Sequence, residues 1–281
     1  MRINIAQSAG FCFGVKRALE IAFAAAKGGK KVYMLGDIVH NEDVVKQIEG
    51  AGIKKITRLK RTRSGSLLIR AHGACLKTFA DAGRLGYDII DATCPMVKEI
   101  HRIARNTQRL GYKLIIIGDR NHDEVHGIAG QLNTKALVID RANNIPLKKI
   151  KRIKKAAVVA QSTQNLEQVL KIAGLLKKHI PELAFFNTIC QPTRKKQEEI
   201  RKMPLKNDAM IIIGSRNSAN TKRLYEISRS LNKNSRWINS REEIKPGWFK
   251  GARSVGITAG ASTPAQTIKE VVRYISMLKN L

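Results

Sequence analysis

The chain has 281 residues, 43% of them hydrophobic, and carries 52 Lys and Arg against 22 Asp and Glu, a formal net charge of +30. That length buries a substantial core, no apolar run reaches the ~18 residues of a membrane-spanning helix, and the opening MRINIAQ enters a strand directly, so no signal or transit segment is read and a cytoplasmic location is expected. The basic excess suits nucleic acid, an anionic substrate, an acidic protein partner or mere compositional drift, but aromatics are only 5% and form no stacking motif, which weakens a single-strand nucleic-acid reading.

In chain order, the apolar run INIAQSAGF ends at Cys12 and FGVKRALEIA follows with helical spacing. A second run, VYMLGDIVHNED, surrounds Gly36 and leads to His40 and Glu42, and a third, LLIRAHGAC, carries His72 and Cys75. The pattern then starts again with YDIIDAT, Cys94 and the helical PMVKEIHRIA, followed by LIIIGDRNHDEV around Gly118 with His122 and Glu124. The basic stretch KKIKRIKK, Lys148 to Lys155, reads as a solvated loop or surface helix, and AVVAQSTQN supplies Ser162 and Thr163. A third round runs from LAFFNTI and Cys190 through QPTRKKQEEI to MIIIGSRNSANT around Gly214, with Ser218 and Asn220, and ends at SVGITAGASTP with Ser262. Each glycine lies 24 residues beyond its cysteine, an offset that chance does not repeat three times.

This repetition predicts three α/β units, residues 1–93, 94–189 and 190–281, with joints near Thr93 and Ile189 and a C-terminal helix in the last. Strands alternating with helices predict mainly parallel sheets covered on both faces. Ligands then bind beyond the carboxyl ends of the strands, where the cysteines and polar loops fall.

Four cysteines without an export signal favour metal or catalytic use over a disulfide framework. Cys12, Cys94 and Cys190 lack the close pairing of structural zinc sites and ferredoxin-type clusters, so any shared site must be assembled by the fold. Thiolates are soft ligands, and three of them on a cubane iron–sulfur cluster leave one iron open as a Lewis acid. The alternative is that all three are small buried core residues. Cys75 breaks the repeat and reads as a packing residue or a neighbour of the site.

Four residues beyond the glycines lie His40, His122 and Ser218; six beyond lie Glu42, Glu124 and Asn220. Histidine, serine and asparagine donors at helix starts describe a phosphate or diphosphate site, although Ser and Asn are also ordinary helix caps. Glu42 reads as a first-turn helix acid, whereas Glu124 is placed to carry a proton. A zinc reading of HDEVH is disfavoured because alternate residues on a helix do not share a face. Ser262-Thr263-Pro264 reads as a cap followed by proline at the first helical position.

GFCFGVKRAL, VHN, AHG, DATCP, NHDEVHGI, GSRNSANTKRL and GITAGASTP resemble the signature segments of the IspH or LytB family of 4-hydroxy-3-methylbut-2-enyl diphosphate reductases, in order from Gly10 to Pro264. The resemblance implies a trefoil of three α/β domains around one [4Fe–4S] cluster held by Cys12, Cys94 and Cys190 with one open iron. It implies reductive removal of the C4 hydroxyl, giving isopentenyl and dimethylallyl diphosphate, the last step of the non-mevalonate (MEP) isoprenoid pathway. It also implies diphosphate contacts from His40, His72, His122, Ser218, Asn220 and Ser262, protonation involving Glu124, and ferredoxin or flavodoxin as electron donor. Three positions depart from the pattern. Ser162 stands where Thr is common, with Thr163 beside it as a possible substitute, Ala219 replaces a usual Ser, and Cys75 occupies a site of small or hydroxyl residues. Two other readings stay open: a basic nucleic-acid-binding protein with a structural cluster, and a non-redox iron–sulfur dehydratase.

Overall fold

The computed structural model describes residues 1–62 and 64–278, so residues 279–281 of the third expected unit lie outside the described residues. The chain opens with β1 (Arg2–Ile5) and α1 (Phe13–Ala26), followed by β2 (Val32–Leu35), α2 (Glu42–Gly50), β3 (Lys54–Ile56), β4 (Gly65–Ile69), α3 (Leu76–Arg84) and β5 (Tyr87–Asp91). The next stretch comprises α4 (Pro95–Arg109), β6 (Lys113–Ile117), α5 (Asp123–Ala129), β7 (Leu137–Ile139), α6 (Leu147–Ile150), β8 (Lys155–Ala160), α7 (Leu166–Lys177) and β9 (Glu182–Phe185). The last holds α8 (Gln191–Lys202), β10 (Ala209–Ile213), α9 (Ala219–Leu231), β11 (Ser235–Ile238), β12 (Ser254–Ala259) and α10 (Ala265–Met277). The basic Lys148–Lys155 stretch forms the end of α6, a turn and the first residue of β8.

Three four-stranded sheets result, ordered β3-β2-β4-β5, β7-β6-β8-β9 and β11-β10-β12-β1. Every strand pair is parallel. The α/β class read from the sequence is the class observed. One strand differs from the expected grouping of residues 1–93. β1 pairs with β12, Arg2 opposite Ser254 through Ile5 opposite Ile257. In the first two sheets a helix follows the third strand and leads into an edge strand, β5 or β9. In the third sheet β1 lies beside β12 and fills the equivalent edge. Each of the three cysteines therefore follows an edge strand: Cys12 after β1, Cys94 after β5 and Cys190 after β9.

The chain divides into two compact units. One consists of residues 1–16, 40–45 and 191–281 and holds the sheet completed by β1. The other consists of residues 17–39 and 46–190 and holds the remaining two sheets.

The middle sheet shows why these sequences become buried strands. Successive side chains of a strand point to opposite faces, and helices cover both faces of a parallel sheet, so a continuous apolar run is required. Ile115, Ile117, Val158 and Ala160 pack with Val169, Ile172 and Leu176 of α7 on one side. Leu114, Ile116, Ala157 and Val159 pack with Ile100 and Ala104 of α4 and Val125 and Ile128 of α5 on the other. Ile116 is fully buried, and truncating it to Ala would cost about 2–5 kcal/mol. Helix α4 begins with Pro95 at its first position, where a missing N–H costs nothing. It buries Val97, Ile100, Ala104 and Thr107 at helical spacing and carries Arg109 in its last turn, where a cation suits the helix dipole.

The repeat persists in the backbone. Gly36, Gly118 and Gly214 donate their N–H groups to the carbonyls of Ile56, Ile139 and Ile238 at 3.2, 3.0 and 2.9 Å. Gly214 has φ +148° and would place a Cβ 2.6 Å from Thr221 Oγ1, so no other residue fits there. The cysteines repeat as well: Cys12, Cys94 and Cys190 donate to the carbonyls of Ala261, Ala71 and Ser162 at 3.1, 3.0 and 3.1 Å. These bonds tie each cysteine to the loop that follows the third strand of its sheet.

Candidate active site

In the unit of residues 17–39 and 46–190, the loop after β6 turns into α5 at His122. The His122 Nδ1 atom accepts the Glu124 N–H at 3.1 Å, so the imidazole is itself the helix cap. An Nδ1 committed as acceptor puts the proton of the neutral ring on Nε2. The second ring nitrogen then donates, which suits an anion. His72, from the loop after β4, meets His122 edge to face with ring centroids 5.5 Å apart. The two rings offer nitrogens within 4.8 Å of one another.

Glu124 points inward at the start of the same helix and is 2% exposed. Its Oε1 accepts the Ser162 N–H at 2.5 Å and its Oε2 accepts the Ser162 hydroxyl at 2.7 Å. Burial pushes the carboxyl up to about 7, and the two bonds from Ser162 hold it from rising further. Such a group exchanges a proton near neutral pH. Ser162, not Thr163, makes this contact; the Thr163 hydroxyl accepts from Gln161 Nε2 at 3.1 Å. Gln161 is fully buried, and its Oε1 accepts the Asp119 N–H at 2.9 Å, joining the loops after β8 and β6.

In the unit that contains β10, Ser218 caps α9 by accepting the Thr221 N–H at 3.3 Å. Its lone pair is used inward, which leaves its hydroxyl proton for an outside acceptor. Asn220 is 4% exposed and its Nδ2 has no hydrogen-bond partner among the described residues. A buried amide donor in that state fits a ligand oxygen. Asn41, not His40, caps α2 through its bond from the Val44 N–H at 3.0 Å. Glu42, expected as no more than a first-turn acid, also accepts from Ser215 Oγ at 2.8 Å and Asn217 Nδ2 at 3.2 Å.

Ser262 departs from its expected capping role. Its hydroxyl donates to the His40 carbonyl at 3.0 Å, and Thr263 donates to the Ile213 carbonyl at 3.1 Å. Pro264 occupies the cap position and α10 starts at Ala265. Both hydroxyls are drawn to distant carbonyls that no local pattern reveals.

Each repeat cysteine is half-buried and outside any disulfide. Cys94 is the N-cap residue of α4, yet its side chain makes no capping bond. Cys12 and Cys190 immediately precede α1 and α8. Sulfur is a soft ligand, and three half-buried cysteines outside any disulfide fit a metal–sulfur role. Cys75 differs: its Sγ lies 3.1 Å from the Thr78 hydroxyl, and a Cβ on Gly130 would fall 2.1 Å from its own Cβ. It packs one helix turn against another.

Residues 3–276 match the family described as LytB protein. The chain belongs to the LytB family. It is similar to the 4-hydroxy-3-methylbut-2-enyl diphosphate reductase of Geotalea daltonii, 40% identical over 278 residues that cover 99% of this chain and 98% of that one. The reductase of the same name from Aquifex aeolicus is 39% identical over 96% of this chain and 94% of its own. Among solved structures, one of (E)-4-hydroxy-3-methyl-but-2-enyl diphosphate reductase, the terminal enzyme of the non-mevalonate pathway, covers 99% of this chain and 100% of its own at 39% identity and TM-score 0.70. The E-1-hydroxy-2-methyl-but-2-enyl-4-diphosphate reductase of Plasmodium falciparum covers 99% of this chain and 88% of its own at 28% identity and TM-score 0.88.

Some polar residues within each of the two units escape sequence reasoning. Arg70 pairs with Asp123 at 2.5 Å, fixing the loop of His72 beside the helix of Glu124. His101 of α4 is 6% exposed and lies under both, close enough that a Cβ on Gly73 would sit 2.7 Å from its Cε1. Burial, and then the Arg105 charge, hold it down to about 4, against a weaker pull from Asp91, so it is neutral at physiological pH. Lys196 is 2% exposed and donates to the carbonyls of Ser8, Gly10 and Ala259. For His101 and Lys196 the sequence signal is a polar residue on the apolar face of a helix.

Proposed function

We propose that this LytB protein is a 4-hydroxy-3-methylbut-2-enyl diphosphate reductase. The full-length family match and the relatives' shared activity support that reading. The observation that carries it in this chain is the buried Glu124–Ser162 pair, a carboxyl pushed up to about 7 against a hydroxyl 2.7 Å away. The reaction adds two electrons and two protons to the substrate, breaks its C4–O bond and releases water, and therefore needs a neutral acid at physiological pH. Neither a nucleic-acid binder nor a structural cluster needs one.

Cys12, Cys94 and Cys190 are the proposed ligands of one [4Fe–4S] cluster. Held by three thiolates, it would supply one-electron transfer and a Lewis-acidic iron. The remaining chemistry belongs to the chain's own residues. Ser162 N–H fixes Oε1 of Glu124 as the acceptor oxygen, so the proton of the neutral acid resides on Oε2, facing the Ser162 hydroxyl. The hydroxyl can take that proton and pass on its own to the departing oxygen. His40, His72, His122, Ser218, Asn220 and Ser262 are the proposed diphosphate contacts, with His122 and Ser218 aimed by their capping bonds. Ferredoxin or flavodoxin is the proposed electron donor. No helix among the described residues is long and apolar enough to cross a membrane, and a cytoplasmic location is part of the proposal. The sequence segments 1–93, 94–189 and 190–281 are proposed as three repeats, with β1 closing the sheet of the third.

The test is anaerobic purification with iron and sulfide analysis, then turnover of the diphosphate with a chemical reductant. Two electrons consumed per substrate support the reading; water loss without electron consumption overturns it in favour of a dehydratase.

A further inference from the structure

A reductive reaction needs a place where electrons enter, and one surface has the chemistry for it. In the unit of residues 1–16, 40–45 and 191–281, an open cleft of about 600 Å³ is lined by Phe11, Cys12, Phe13, Pro192, Arg194 and Lys195. Phe13 is 65% exposed at the first position of α1, directly after Cys12. Burying such a ring stabilises a complex more than leaving it in water stabilises the free chain. Around it stand exposed Lys16, Arg194 and Lys195, and neither Lys16 nor Lys195 has a carboxylate partner among the described residues. Glu198, the one acid of the lining, is paired with Lys202 at 2.9 Å. An apolar centre flanked by Lys16 and Lys195, without carboxylate partners among the described residues, is the anatomy of a contact for a negatively charged protein surface.

We propose that this cleft docks an acidic one-electron carrier protein, with Phe13 as the apolar anchor and Lys16 and Lys195 as steering charges. The inference rests on the reductase reading and on Cys12 as a cluster ligand, so the carrier would dock beside a residue that would hold the metal. Each docked carrier is oxidised by one electron. Two such encounters supply the electron pair that breaks the C4–O bond, while two protons go to the water and the allylic product. Nucleic acid is anionic as well, and it is the apolar centre of Phe11, Phe13 and Pro192 that favours a protein contact over a phosphate backbone.

The test uses the cluster-loaded chain and an acidic [2Fe–2S] ferredoxin as probe. Binding is measured by calorimetry at roughly 50 and 300 mM salt, and turnover is driven either by the ferredoxin or by reduced methyl viologen, a small donor that needs no docking. The Lys16→Glu, Lys195→Glu double variant should bind ferredoxin about tenfold more weakly at low salt and lose most of the salt dependence. Phe13→Ala should weaken binding about tenfold at both salts. Viologen-driven turnover and iron content should stay within about twofold of the parent in both. Unchanged ferredoxin affinity in the double variant overturns the proposal, and so does a parent chain that does not bind ferredoxin. If Phe13→Ala abolishes self-association in sedimentation and leaves ferredoxin binding intact, the face joins copies of this chain and the proposal falls. Absence of viologen turnover in the cluster-loaded parent would count against the reductase reading instead, and calorimetry still judges the docking surface.

Discussion

Glu42 and Glu124 occupy the same place in the repeat, six residues beyond Gly36 and Gly118, and meet opposite surroundings. Glu42 is exposed and accepts from the polar side chains of Ser215 and Asn217. Glu124 is 2% exposed and reaches one residue, Ser162, through both its backbone and its hydroxyl. In the third repeat the position holds Asn220, an amide that cannot titrate. A repeated backbone thus delivers three side chains to equivalent points, and burial decides which becomes an acid. Desolvation disfavours the carboxylate, and the two bonds from Ser162 only partly restore it.

The cysteines are the counterexample, since there all three repeats keep the residue. Cys12→Ser, Cys94→Ser and Cys190→Ser should each lose the visible iron–sulfur absorbance and essentially all turnover. Cys75→Ser should keep both, because Cys75 lies outside the repeat and packs between Thr78 and Gly130. Iron and sulfide analysis of the four proteins decides it. Cluster loss in Cys75→Ser alone would reverse the assignment.

Glu124→Gln keeps the shape and cannot titrate. Turnover should fall by about 10²–10⁴ with cluster content and substrate affinity retained. Glu42→Gln should stay within about threefold. Equal losses from the two substitutions would remove the distinction between buried and exposed repeat positions.

The pH profile sharpens the contrast by a smaller margin. Glu124 must be protonated to donate, and burial sets it at about 7, so turnover should decline as pH rises through that value. The limb should vanish in Glu124→Gln. In Ser162→Ala it should move to higher pH, because the lost hydroxyl bond is one that lowers the carboxyl, while the Ser162 backbone bond is retained in the alanine. Rate measurements between about pH 6 and 9 follow this directly. A shift to lower pH in Ser162→Ala would contradict the electrostatics.

The fold class and the cysteine spacing were legible because a period is a property of the chain alone. A run such as KLIII or AMIII, short and rich in β-branched isoleucine, reads as a strand covered on both faces, and a 24-residue offset marks equivalent turns without any contact being known. β1 was not legible. Its partner is chosen by which sheet lacks an edge, and that information lies at Ser254–Ile257, at the other end of the sequence. The same reason hid Arg70–Asp123, the neutral His101 beneath the Gly73 loop, and the bond from Ser215 to Glu42. His122 was legible as a residue and not as a proton geometry, because its Nδ1 is assigned by the Glu124 amide.

Ser218 and Ser262 give the finest division of the site, since both are buried serines with opposite hydroxyl use. Ser218 accepts from the Thr221 amide and keeps its proton for a ligand, whereas Ser262 gives its proton to the His40 carbonyl. Ser218→Ala removes a helix cap and a donor together. It should weaken diphosphate affinity about tenfold and lower stability by about 1 kcal/mol. Ser262→Ala removes a proposed contact whose proton is already drawn to the His40 carbonyl, so affinity should fall by the smaller factor of about threefold. Competition binding of inorganic diphosphate to each variant, with thermal unfolding alongside, separates the two effects. A larger affinity loss in Ser262→Ala than in Ser218→Ala would mean that the Ser262 hydroxyl turns from the His40 carbonyl to the ligand. The direction of that single proton would then be set by the bound anion and not by the fold.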